Sequence, residues 1–263
     1  MIYPHQQNAI NFITDKLRED IAVNALLISG SVSHGFNNEN SDIDINIVIS
    51  NELYEEKKAA NKLTYWESAA DFYEKGYFDG KYITLDYLAL VGEKGNEPTR
   101  FALHDSKIAF DRTGMVENLL AKIGAYDVAH ESETAIRLVS QLDAWKWYCD
   151  EALSKKNQYL LETSVLKLIL FGGRLILLDN RIFFPYHKWF LKVLENVPKK
   201  PESLMCAIQR LIENKTVENI IQFYEMIKIH KDWSGGREYS WASNFVHDIE
   251  LVWMRGNEFI ENI

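Results

Sequence analysis

The sequence predicts an α+β protein: a small mixed-sheet domain over residues 1–114, followed by an all-helical bundle domain over residues 115–263. Three observations carry this. Strand-type and helix-type patterns are interleaved as far as residue 114. Beyond it, helical periodicity is nearly continuous, with short connections. The 263-residue chain is 47% hydrophobic and 13% aromatic, enough to bury a sizeable core.

In chain order, Gln7 to Arg18 places Ala9, Ile10, Phe12, Ile13 and Leu17 at helical spacing. Ala22 to Ile28 is a short apolar run ending at Ser29-Gly30-Ser31, and it reads as a buried strand. Ser33 to Ser41 is rich in Gly, Asn and Ser and reads as a turn, with Gly35 near a helix start. Ile43, Ile45, Ile47 and Ile49 then alternate with Asp42, Asp44, Asn46 and Val48, the period-two pattern of a strand with one apolar face. Residues 54–76 are read as an amphipathic helix closed by Gly76. Tyr82 to Val91, rich in β-branched and aromatic residues around Asp86, is read as a strand, and Lys107 to Phe110 as another. Helices are expected at about 115–124, 132–155, 158–179, 187–196, 201–214, 216–230 and 241–258.

Composition narrows the function classes. No apolar run approaches the roughly 20 residues of a membrane span, and the N-terminal residues lack the basic start and apolar core of a signal peptide. The two cysteines, Cys149 and Cys206, form no CxxC or Cys/His cluster, so a reducing cytoplasm is the expected location. The formal charge is −9, from 29 basic and 38 acidic residues, and no Lys/Arg stripe is present. Tracking a phosphate backbone usually requires such a stripe, so a nucleic-acid partner is not expected.

The chemistry concentrates in Gly30-Ser31-Val32-Ser33-His34-Gly35 and Ser41-Asp42-Ile43-Asp44. Asp42 and Asp44 stand two apart on a strand, so both carboxylates leave the same face. Side by side they repel unless a cation lies between them. Magnesium, a hard ion held by one or two carboxylates plus substrate phosphates, is the natural choice. Glycines at 30 and 35 allow backbone N–H groups to approach a phosphate, and Ser31 adds a hydroxyl donor. Asp86, the one acid within the 82–91 strand, would complete a two-metal site if that strand lies beside 42–49.

Gly30-Ser31, Gly35 and Ser41-Asp42-x-Asp44, with Asp86 on a later strand, resemble the signature of the DNA polymerase β-like nucleotidyltransferase superfamily. A mixed-sheet domain followed by a helical domain is similar to its aminoglycoside and lincosamide nucleotidyltransferases. The resemblance is motif-level over about residues 20–114 and architectural beyond. It implies that Asp42, Asp44 and Asp86 bind Mg2+ and carry catalysis, while Gly30, Ser31 and Ser41 belong to the nucleotide site.

Lys167 and Arg174 lie seven apart on one face of an otherwise apolar helix. They are candidates for the triphosphate tail, against the alternative of pairing with acids such as Glu162 or reaching to solvent. His34 is read as a loop histidine pointing outward, and Phe184 to Trp189 as helix-start packing. The function expected is magnesium-dependent transfer of NMP from an NTP, with ATP the expected co-substrate. The acceptor is a small-molecule hydroxyl such as that of an aminoglycoside, and the site lies in the cleft between the domains. Two alternatives stand beside it: transfer to RNA or a partner protein, and a non-catalytic nucleotide-binding regulator of the same fold.

Overall fold

The computed structural model describes residues 2–254 and 256. It divides into two compact units, Met1–Ala125 and Tyr126–Ile263. The first contains helix α1 (Pro4–Glu19), strand β1 (Val23–Ile28), helix α2 (Gly30–His34), strand β2 (Ile43–Ile49) and helix α3 (Asn51–Ala59). Strands β3 (Thr64–Ser68) and β4 (Tyr77–Ile83) follow, then helices α4 (Leu85–Lys94) and α5 (Glu97–His104), strand β5 (Lys107–Asp111) and helix α6 (Val116–Gly124).

The five strands form one mixed sheet in the order β3-β4-β2-β1-β5. Only β2 and β4 run parallel; the other neighbours are antiparallel. Alternation along each strand sorts side chains to two faces. On one face Leu26, Ile28, Phe78 and the four isoleucines of β2 pack against Ala9, Ile10, Ile13 and Leu17 of α1. Each isoleucine buried in this way contributes roughly 1.5–3 kcal/mol. On the other face Ala25, Leu27, Val48 and Ile83 meet Leu88 and Val91 of α4, Leu103 of α5, and Val116, Leu119, Leu120 and Ile123 of α6. That cover reaches only part of the face. Asp44, Tyr77, Asp79 and Lys81, in the same alternation, stand beyond it.

Two segments differ from the sequence reading. The helix expected over 54–76 is the short α3, capped by Ser50, whose side chain accepts from the Leu53 N–H, and then β3. Asn61 has φ 54°, a left-handed conformation that ends a helix. Thr64-Tyr65-Trp66-Glu67-Ser68 then alternates at period two, and the aromatic pair suits a pleated edge strand. The strand expected over 82–91 ends at Ile83. There Thr84 accepts a hydrogen bond from the Tyr87 N–H (3.0 Å) and starts α4. Helix α5, capped by Asn96, is an element the sequence reading omits.

Helix α6 belongs to the first unit, which therefore runs eleven residues beyond the expected boundary after 114. Arg100 explains part of this: its guanidinium donates to Gly92 O (3.0 Å), Gly95 O (2.9 Å) and Ile123 O (3.1 Å), tying the C-terminal ends of α4 and α6 together.

The second unit is helical: α7 (Glu131–Ser154), α8 (Gln158–Asp179), α9 (Tyr186–Asn196), α10 (Leu204–Glu213), α11 (Val217–His230) and α12 (Trp241–Phe245). Helices α7 and α8 pack along their lengths. The helix expected over 241–258 is α12 followed by a π-turn (Val246–Glu250) and a 3-10 turn (Val252–Met254); positions 255, 257 and 258 lie outside the described residues.

Candidate active site

Strand β1 is followed by Ser29, whose N–H donates to Asp44 O (2.9 Å) and fixes the turn against β2. Gly30 follows with φ 61°, a left-handed conformation open to glycine. A Cβ at this position would overlap the Asp44 carboxylate, so glycine is required both by its dihedral and by the approach of Asp44. Ser31 is buried, and its hydroxyl has no hydrogen-bond partner among the described residues. Gly35 (φ 71°) closes the single turn of α2 rather than opening a helix.

The loop carrying Asp42 is held from α1. Fully buried Gln6 donates through Nε2 to Asn38 O (2.8 Å) and Ser41 O (3.2 Å), while Asn37 Nδ2 donates to Gln6 Oε1 (2.8 Å). The Ser41 hydroxyl, expected in the nucleotide site, accepts from the Asn38 N–H (2.9 Å), and Tyr73 donates to Ser41 O (3.0 Å). Ser41 thus closes the turn that aims Asp42.

On the sheet, parallel pairing sets Asp44 of β2 opposite Asp79 of β4. Asp42, Asp44 and Asp79 each offer a carboxylate oxygen within 4.8 Å of the others. The third acid of the cluster is therefore Asp79, and the sequence assignment of Asp86 is corrected. Asp86 is exposed in the first turn of α4, where it accepts from Asn51 Nδ2 (2.7 Å). An acid there is favoured by the helix dipole.

The surroundings register the concentrated negative charge. Asp42 raises the Tyr77 phenol above its ordinary pKa, through its charge and then through the hydrogen bond between them. Burial, then the charge of Asp42, pushes Tyr73 up to about 12. Lys81 stands two residues beyond Asp79 and so shares its face. Although its side chain reaches solvent, crowding lowers the ammonium pKa, against the opposing pull of Asp44 and Asp79. A cavity of about 290 Å3 is lined by Ser29, Gly30, Asp44, Asn46, Asp79 and Lys81, among others. Trp66 pairs with Asp79 across β3–β4, is 68% exposed, and stacks on Tyr77 (centroids 6.4 Å).

The donor set fits magnesium: three hard carboxylates converge where Gly30 leaves room for the Asp44 carboxylate, and the next residue, Ser31, carries a buried hydroxyl without a partner among the described residues. Tyr77, Asp79 and Lys81 went unidentified in sequence because 77–81 fell between two misread elements. The available signal was the alternation Tyr77, Asp79, Lys81 about Phe78 and Gly80.

Residues 11–89 match the family model described as a nucleotidyltransferase domain. The matched segment runs from within α1 into α4 and includes Gly30, Ser31, Asp42, Asp44 and Asp79. A nucleotidyltransferase-like protein from Exiguobacterium sibiricum is similar in structure at TM-score 0.45 and 10% identity, over 96% of this chain and 80% of that one. No curated protein sequence matches the chain.

The other two expected nucleotide contacts lie on α8 of the helical unit. Lys167 is half-buried. Arg174 is 2% exposed, with its guanidinium over the Phe184 ring (5.1 Å), so it is a packed cation that does not reach to solvent. No helix among the described residues is long and apolar enough to cross a membrane.

Proposed function

We propose that this chain is a magnesium-dependent nucleotidyltransferase that moves NMP, with ATP the favoured donor, onto a hydroxyl of a small molecule and releases pyrophosphate. The observation that carries the reading is the convergence of Asp42, Asp44 and Asp79 against a glycine whose side chain the site has no room for.

Asp42, Asp44 and Asp79 would hold the ion, which supplies neutralisation of the charge that develops on the phosphate oxygens during in-line displacement. Ser31 and the backbone around Gly30 serve the phosphates from the β1 side of the carboxylates. In-line geometry then assigns the acceptor to the opposite side, across β4 toward β3. There an Asp79 carboxylate oxygen accepts the proton of the acceptor hydroxyl while the hydroxyl's own oxygen bonds to the α-phosphorus and the bond to pyrophosphate breaks. The Trp66–Tyr77 pair offers an aromatic surface for an acceptor ring. Concentrated acid favours a cationic acceptor such as an amino sugar.

Calorimetric titration with ATP, with and without magnesium, tests the reading. Wild type and Asp86→Asn should bind ATP in a magnesium-dependent manner, whereas Asp79→Asn should lose that dependence. Equal binding by all three proteins, with or without the metal, would refute the assignment.

A further inference from the structure

We propose that His34, His104 and Asp105 form a second cation site, built for a transition metal of the zinc class. His34 is the last residue of α2, His104 the last of α5, and Asp105 the first residue of the connection to β5. The fold thus brings three metal-binding side chains together from positions seventy residues apart in sequence.

The distances favour ligation. His34 Nδ1 lies 3.1 Å and His104 Nε2 3.7 Å from the same oxygen, Asp105 Oδ2. Ligand atoms bonded to zinc at 2.0–2.1 Å in a tetrahedron stand about 3.4 Å apart, and the two separations bracket that value. A hydrogen bond accounts for the 3.1 Å contact. At 3.7 Å the His104 nitrogen is beyond hydrogen-bonding range of the carboxylate, yet within the spacing of two ligands on one ion. One ligand atom from each residue can be chosen so that all three lie within 4.8 Å of one another.

The site is also held in place. The His34 side chain is 4% exposed and stacks on Phe101 (centroids 4.5 Å). Asp105 is 54% exposed and, with His104 and Glu117, lines a cavity of about 600 Å3 through which an ion and a completing water can enter. Two imidazoles and one carboxylate select zinc, cobalt or nickel over magnesium, whose preference is for an all-oxygen shell. The two sites on this unit are therefore chemically sorted: oxygen ligands alone on the sheet, nitrogen-rich ligands at the end of α2. An ion here would tie the short helix that begins with Gly30 and Ser31 to the α5–β5 connection.

Zinc uptake by chelator-treated protein, together with the visible spectrum of the cobalt(II) form, tests this. Wild type should take up about one equivalent, show ligand-field bands and melt at a higher temperature with zinc. The Asp42→Asn/Asp44→Asn variant should do the same, which separates this site from the sheet carboxylates. His104→Ala and Asp105→Asn should each weaken uptake at least tenfold; the second changes an exposed side chain and leaves the fold intact. Absence of stoichiometric uptake by wild type would overturn the proposal. So would uptake that survives both His104→Ala and Asp105→Asn, or that disappears in the Asp42→Asn/Asp44→Asn variant.

Discussion

The sheet of the first unit and the helices of the second hold clustered and paired aspartates in opposite ways. In the helical unit Asp143 is ringed by donors: Tyr224 (2.9 Å), Tyr239 (2.6 Å) and Lys228 (3.0 Å). Asp248, 1% exposed, is met by Arg137 through Nε (3.1 Å) and Nη2 (3.0 Å). On the sheet three aspartates are instead brought together, within 4.8 Å of one another. Charge compensated by donors can be buried without a large penalty, whereas like charges at this distance oppose folding unless a cation joins them. The contrast separates a carboxylate that secures packing from one whose position makes sense through what it binds.

Substitutions can break or sharpen that contrast. The largest effect is expected at the sheet. Asp44→Asn should lower NMP transfer, followed by pyrophosphate release, on the order of a thousandfold. It should leave the melting temperature unchanged or raised, because a repulsion is removed. A fall of several degrees would show that the sheet carboxylates also stabilise the fold, and the contrast would collapse. Next is Asp248→Ala, which leaves the Arg137 charge without its carboxylate and should cost about 3 kcal/mol in a denaturant titration; a loss below ~1 kcal/mol would place that pair with weak surface bridges. Gly30→Ala should be smaller in stability, about 1–2 kcal/mol for the left-handed backbone. It should still reduce turnover at least tenfold by displacing the Asp44 carboxylate, and undiminished activity would mean that the carboxylate has freedom to move.

The sequence made the fold legible where a single period ran long enough to exclude alternatives. Ile43 to Ile49 identified a strand and its buried face, and the helix predicted over 158–179 matches α8 at both ends. Short elements were harder. Tyr65 and Trp66 fit either an amphipathic helix or a pleated edge, and the choice rests on pairing with β4, a non-local contact. The same limit governed the site. Asp42 and Asp44 could be read as a pair because local alternation puts them on one side. Their partner depended on which strand adjoins β2. Asp79 and Asp86 are both acids near an apolar run, and only the parallel register, with Asp44 opposite Asp79, distinguishes them. Ser41 was expected in the nucleotide site; in the fold its hydroxyl is engaged within the turn, accepting from the Asn38 N–H.

Gln6 gives the first helix a part in the dynamics of this loop. Its side-chain amide donates to the Asn38 and Ser41 carbonyls and so pins to α1 a turn closed by its own bonds, Ser41 N–H to Asn38 O (3.2 Å) and Asn38 N–H to the Ser41 hydroxyl (2.9 Å). Loop and helix should consequently open as one cooperative unit. In native-state hydrogen exchange, the Asn38 and Ser41 amides, bonded to the Ser41 hydroxyl and to Asn38 O within the turn, should become exposed together with the opening of α1 and not with that of the adjoining β2. The aim of Asp42 would then persist only as long as the helix that carries Gln6, far upstream in the chain, stays docked.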